Sequence, residues 1–134
     1  MSLLLSIAAV LASIQYLAHA VLFLRAKPQH GRDEADLLER MKRQRWKFSG
    51  FERGYWDFYF GYGLLAILWG FVEVAILWYL AFMVSKGSVS VVPLVGILLV
   101  ANVAHAALTL RYFFLTPVIF DLLIATILIL ALFK

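Results

Sequence analysis

The chain has no cysteine among its 134 residues. That absence excludes disulfides, iron–sulfur clusters, thiolate zinc sites and thiol catalysis together. Charge is scarce as well: Asp, Glu, Lys and Arg make up 15% of the residues, against roughly 25% in an ordinary soluble domain. There is no Gly-x-Ser-x-Gly elbow, no phosphate-cradling glycine loop and no His-Glu-x-x-His pair, so the common soluble catalytic signatures are missing. What fills the chain is apolar. Hydrophobic residues account for 64%, more core than the remaining polar surface can cover, and the composition is that of an integral membrane protein.

Four apolar stretches, at about Leu3–Leu24, Tyr55–Val84, Val89–Leu110 and Pro117–Phe133, are each near or above the ~18–20 residues a spanning helix needs. None alternates apolar and polar residues as a transmembrane strand would. The turns at Ser85–Ser88 and Arg111–Thr116 are short, so their flanking helices are expected to be antiparallel neighbours. The sequence therefore predicts one all-α domain over residues 1–134, an up-down four-helix membrane bundle. Ala18-His19-Ala20 has the small-x-small look of a signal-peptide cleavage site, but no basic residue precedes the apolar stretch, which is read as a span. Thr116 is expected to cap the fourth helix, with Pro117 at its first position.

The long gap Arg25–Gly54 is charged. It holds nine of the twelve Lys and Arg residues, the third turn adds Arg111, and only Lys86 and Lys134 fall on the other side. Short basic loops stay cytoplasmic, so both termini are expected outside. The basic residues thus report topology and argue against a nucleic-acid partner. Within the gap, Asp33–Phe48 reads as a short helix with acids early and bases late, the order favoured by the helix dipole. Leu37, Leu38, Met41 and Trp46 give it a weak apolar side. Arg40, Lys42, Arg43, Arg45, Trp46 and Lys47 are then expected at the surface of the bilayer, against anionic headgroups, with a solvated cap over the bundle as the alternative.

Leu17–Arg25 and Val103–Arg111 share six of nine positions, including the His and the Arg. A tandem duplication of helix pairs explains the match and would form a parallel repeat about the membrane normal. His19 and His105 would then sit at equal depth, each about 9 Å inside its Arg, on helices that lie diagonally across the bundle.

Ionisable groups inside a membrane cost at least ~2.5–3.5 kcal/mol on insertion scales, so they are expected to face the bundle interior. Gln15 and His19 share one helix face, and Asn102 and His105 another. Tyr59, Tyr62, Ala66, Gly70 and Glu73 recur at helical spacing on helix two, with Trp69 beside them, and Asp121 lies near the depth of the histidines. Counting turns gives a layer of His19, His105, Asp121 and Tyr62, with Asp57, Arg25 and Arg111 nearer the mouth. A deeper layer holds Gln15, Asn102 and Glu73. The simplest structural account pairs Asp57 with Arg25 or Arg111 and lets the network do no more than hold the helices together.

The stretch Arg53-Gly54-Tyr55-Trp56-Asp57-Phe58-Tyr59-Phe60-Gly61-Tyr62-Gly63-Leu64 and the turn Arg111-Tyr112-Phe113-Phe114-Leu115-Thr116-Pro117 resemble two motifs of a group of small bacterial four-helix membrane proteins. These carry Tyr-Trp-Asp-Phe-Tyr-x-Gly-Phe-Gly at the start of helix two and Tyr-Phe-Phe-x-x-Pro before helix four. Tyr62 replaces the usual Phe. The resemblance covers nearly the whole layout, implies the four-helix fold and a bacterial inner-membrane location, and brings no activity with it.

Four functions fit these residues. The leading one is a pocket for a lipid-like or aromatic small molecule, with His19, His105, Glu73 and Asp121 as polar anchors among Trp and Tyr walls, and with acid/base chemistry open to it. The others are a haem b carrier using His19 and His105 as axial ligands, a small proton-coupled exporter working through Glu73, and an accessory subunit of a larger membrane complex. A homodimer is compatible with each. A metal on His19, His105 and Asp121 is conceivable by ligand type alone and is not expected.

The natural lack of cysteine makes the orientation directly testable. In intact cells, a single cysteine replacing Lys86 is expected to react with an impermeant maleimide, and one replacing Lys47 only after lysis. The reverse pattern would invert the topology.

Overall fold

The computed structural model describes residues 1–87 and 90–134. Along the described chain run α1 (Ser2–Leu24), α2 (Arg32–Arg43), β1 (Arg45–Phe48), β2 (Phe51–Gly54), α3 (Tyr55–Ser85), α4 (Val92–Tyr112) and α5 (Leu115–Leu132). Helices α1, α3, α4 and α5 are each long and apolar enough to cross a membrane. The protein is thus all-α apart from one hairpin, and by the length and composition of its helices a multi-pass membrane protein. It divides into two compact units, residues 1–18 with 70–134 and residues 19–69.

The first unit is a four-helix bundle. Its core stripe on α1 is Leu5, Ala8, Ala9 and Ala12, and on α5 it is Ile124, Leu128 and Ala131, all buried, at the three- and four-residue spacing of one helix face. Ser2 Oγ donates to the carbonyl of Ala81 at 3.0 Å and Tyr16 Oη to Glu73 at 2.8 Å, so α1 runs antiparallel to α3. Side-chain bonds also join α3 to α4 and α1 to α5, and α4 packs along α5. The helices close a ring in chain order, with α1 and α4 on a diagonal. The alanines of α1 let backbones approach closely, as small residues do in membrane bundles. Gly70 serves the same end on α3, where a Cβ would overlap the ring of Tyr16.

The second unit holds the end of α1, α2, the hairpin and the start of α3. Here the structure corrects the expected Asp33–Phe48 helix. Helix α2 stops at Arg43, Gln44 is extended, and the chain turns back through Ser49 (φ 50°) and Gly50 (φ 87°). Two successive positive φ angles make a type I′ turn, whose twist suits a two-residue hairpin loop. The register pairs Arg45 with Gly54 and Phe48 with Phe51. Consequently Arg40, Lys42 and Arg43 lie on α2, whereas Arg45, Trp46 and Lys47 lie on β1. Edge contacts of Trp46 with Tyr55 at 5.2 Å and Phe48 with Phe58 at 5.1 Å attach the hairpin to α3.

Two other boundaries differ. Helix α5 begins at Leu115, with Phe114 at the cap position and no side-chain cap bond, so Thr116 and Pro117 sit inside the first turn. Proline is tolerated there because first-turn N–H groups have no intrahelical acceptor. Helix α4 begins at Val92. The expected start at Val89, and Ser88 of the preceding turn, lie outside the described residues.

Glycine positions give a graded stability test. A Cβ on Gly54 would lie 2.7 Å from the Gln44 carbonyl oxygen and 3.0 Å from that of Met41, whereas one on Gly61 meets nothing within 4 Å. Gly70→Ala and Gly54→Ala are each expected to cost about 1–3 kcal/mol by overpacking. Gly61→Ala should cost nothing, as read by thermal unfolding in detergent.

Candidate functional site

Six polar side chains inside the bundle unit form two clusters, each centred on a carboxylate. Glu73 of α3 accepts from the Tyr16 hydroxyl at 2.8 Å and from the Asn102 amide at 2.5 Å. The same Asn102 amide nitrogen also donates to the carbonyl of Leu98 at 2.9 Å. Asp121 of α5, only 1% exposed, accepts from the Gln15 amide at 2.8 Å through Oδ1 and bonds His105 Nδ1 at 2.8 Å through Oδ2.

Helix geometry explains the division. Successive residues on a helix point ~100° apart, close to the corner angle of a four-helix ring. Gln15 therefore reaches α5 while Tyr16 reaches α3. On α4 the three-residue step from Asn102 to His105 likewise sends one side chain to α3 and the other to α5. Of the two expected layers, the pairing of Asn102 with Glu73 and that of His105 with Asp121 are found together. Gln15 crosses from the deeper group to Asp121.

Around Asp121, burial is graded. Gln15 and Asn102 are buried, but the His105 side chain is 50% exposed. With Nδ1 held by Asp121, the imidazole is oriented from inside while part of its ring reaches the outer surface of the bundle. The carbonyl oxygen of Gln15, next to the same carboxylate, is buried and takes no hydrogen bond among the described residues. Burying such an acceptor without a partner costs about 1–3 kcal/mol, and native structures contain few of them.

The other anticipated residues lie elsewhere. Asp57 accepts the Gly54 N–H at 2.8 Å and pairs with Arg45 Nη2 at 3.2 Å, a partner the sequence reading, which named Arg25 or Arg111, did not offer. It closes the junction between β2 and α3. Tyr62 and Trp69 are 70% and 66% exposed. Tyr59 is exposed on one side and packs on Phe23 and Trp56 with the other. The face expected on helix two, Tyr59 through Glu73, is thus not one buried surface. His19 belongs to the second unit and stacks on Phe23, with ring centroids 6.0 Å apart and planes 16° apart. Among the described residues no three His, Asp or Glu side chains gather as a metal site.

Tyr16 was not anticipated. Its signal in the sequence is its depth: a tyrosine in the middle of a span, away from the interfaces where Tyr normally concentrates, needs a partner for its hydroxyl. No family model, curated protein or solved structure matches the chain.

The Glu73 cluster should behave as an energetic pair. A double-mutant cycle of Tyr16→Phe with Glu73→Gln is expected to give a coupling of about 0.6 kcal/mol, with an upper limit of ~1.7 kcal/mol for hydrogen bonds between membrane helices. Strict additivity in detergent unfolding would mean that the bond carries no stability.

Proposed function

We propose that the chain is an inner-membrane protein whose Asp121 cluster binds a lipid-like or aromatic small molecule entering from the side of the bundle. The observation that carries this reading is the Gln15 side-chain oxygen, buried without a hydrogen bond among the described residues, beside a carboxylate that also holds a half-exposed histidine. A ligand with an apolar body and a hydroxyl or amine donor suits these groups: its donor satisfies Gln15 Oε1, and its apolar part remains in hydrocarbon. Binding sites of this kind are largely apolar with a few convergent polar groups.

His105 is the residue able to exchange a proton with such a molecule, because Asp121 fixes the ring through Nδ1 and leaves Nε2 for chemistry, the arrangement by which carboxylates orient catalytic imidazoles. Glu73 is held on both oxygens by Tyr16 and Asn102 and supports the bundle in this reading. The resemblance to bacterial four-helix proteins and the basic loop favour a bacterial inner membrane, with both termini periplasmic.

The test is extraction and mass spectrometry of apolar molecules retained by protein purified in native nanodiscs. Wild type is expected to hold a defined molecule beyond bulk lipid. Asp121→Asn and Gln15→Leu should lower its occupancy about tenfold, equivalent to ~1.4 kcal/mol, while Tyr62→Phe leaves it unchanged. A wild-type protein that carries only bulk lipid would overturn the proposal.

A further inference from the structure

A second recess, independent of the Asp121 cluster, lies within residues 19–69. It has a volume of about 160 Å³, and its wall includes Phe23, Lys27, Glu34, Trp56, Tyr59 and Phe60. The aromatic part is a connected set. Trp56 stacks on Phe60 at 5.8 Å and tilts against Tyr59 at 5.6 Å, and Phe23 stacks on Phe60 at 5.5 Å. These rings come from the end of α1 and the start of α3, where apolar spans give way to the charged loop. Trp and Tyr concentrate at that level of a membrane.

The recess has one cationic and one anionic wall residue. Lys27 lies in the connection after α1, and Glu34 lies in the first turn of α2. Glu34 Oε2 accepts the backbone N–H groups of His30 at 2.7 Å and Gln29 at 2.6 Å and also meets His30 Nδ1 at 3.1 Å. These bonds, the His30 N–H first, hold the carboxyl below the ordinary glutamate range. All three fall on Oε2, and among the described residues Oε1 takes no hydrogen bond. Lys42 Nζ sits 5.0 Å from the Trp56 ring centroid, within cation–π range, so a ligand ammonium takes the place of Lys42 on that ring.

We propose that this recess binds the headgroup of a zwitterionic, amine-bearing phospholipid from the bilayer, with its phosphate on Lys27 and its ammonium between Glu34 and the Trp56 and Tyr59 rings. Charge complementarity selects this occupant. The loop's many bases attract any anionic lipid diffusely and salt-dependently, but the recess adds a carboxylate that repels a purely anionic headgroup and pairs with an amine.

The experiment is native mass spectrometry of delipidated full-length protein titrated with phosphatidylethanolamine, phosphatidylcholine or phosphatidylglycerol at high salt. At least one of the two zwitterionic lipids is expected to be retained about fivefold better than phosphatidylglycerol. Glu34→Gln and Lys27→Gln should each abolish the preference. Glu34→Gln keeps an oxygen for the Gln29 and His30 N–H groups, and circular dichroism checks that α2 survives. Trp56→Phe should weaken retention without unfolding, and Asp121→Asn should leave the preference intact. Equal retention of phosphatidylglycerol, an unaltered preference in folded Glu34→Gln, or full competition by inorganic phosphate would each overturn the proposal.

Discussion

Everything in the bundle follows from the absence of water in the hydrocarbon. A polar group placed there must find its partner inside the protein, since none is available outside. The chain inserts Gln15, Tyr16, Glu73, Asn102, His105 and Asp121 into its spans and satisfies them almost entirely across helices. Each of the four helix contacts in the ring carries one of these bonds, beginning with α1 to α3, α1 to α5 and α3 to α4. The fourth, α4 with α5, is the most extensive packing surface and carries His105 on Asp121. Apolar packing alone permits many rotations of a membrane helix about its axis, because lipid tails are as apolar as leucine. The buried hydrogen bonds remove that freedom and fix which face of each helix turns inward.

The charged loop is governed by the opposite condition, access to water. Its structure is local: a helix begun by Glu34 reaching back to two backbone N–H groups, and a hairpin closed by Ser49 and Gly50. Gly54 fits beneath the end of α2, where its lack of a Cβ admits the carbonyls of Gln44 and Met41. Asp57 then ties the first turn of α3 to Arg45 of the hairpin. Aromatic residues flank this region because they tolerate both media, and they supply the walls of the recess beside Lys27 and Glu34.

The four spans were legible because hydrophobic length is a property of contiguous sequence. The pairing of Glu73 with Asn102 and of Asp121 with His105 was legible at the level of depth, which counting turns from the basic ends supplies. Rotation about the helix axis was not. Gln15 was expected with Glu73 and bonds Asp121 instead, and Tyr16 was missed although it neighbours Gln15, because a 100° difference in direction decides which helix a side chain meets. Tyr62 and Trp69 were expected to line a pocket on spacing alone, and spacing places residues on a common face without saying that the face is buried. The hairpin was absorbed into a helix because acids before bases resemble a helix with a favourable dipole. Ser49-Gly50 between Phe48 and Phe51 was the competing turn signal.

A network kept only to hold helices together would be expected to close on itself. The Glu73 cluster does so: both carboxylate oxygens have donors, and the donors belong to neighbouring helices. The Asp121 cluster does not. Its carboxylate is buried with one partner on each oxygen, yet the buried side-chain oxygen of Gln15 takes no hydrogen bond among the described residues, and its histidine is half-exposed. An apolar pair of similar volume would join α1 to α5 without stranding an acceptor, because replacing both hydrogen-bonding partners by well-packed apolar groups is nearly neutral in stability. Retaining Gln15, Asp121 and His105 therefore makes physical sense if a further donor completes the set. In the function proposed above the ligand supplies that donor, and the half-exposed imidazole lies on the side from which it would enter.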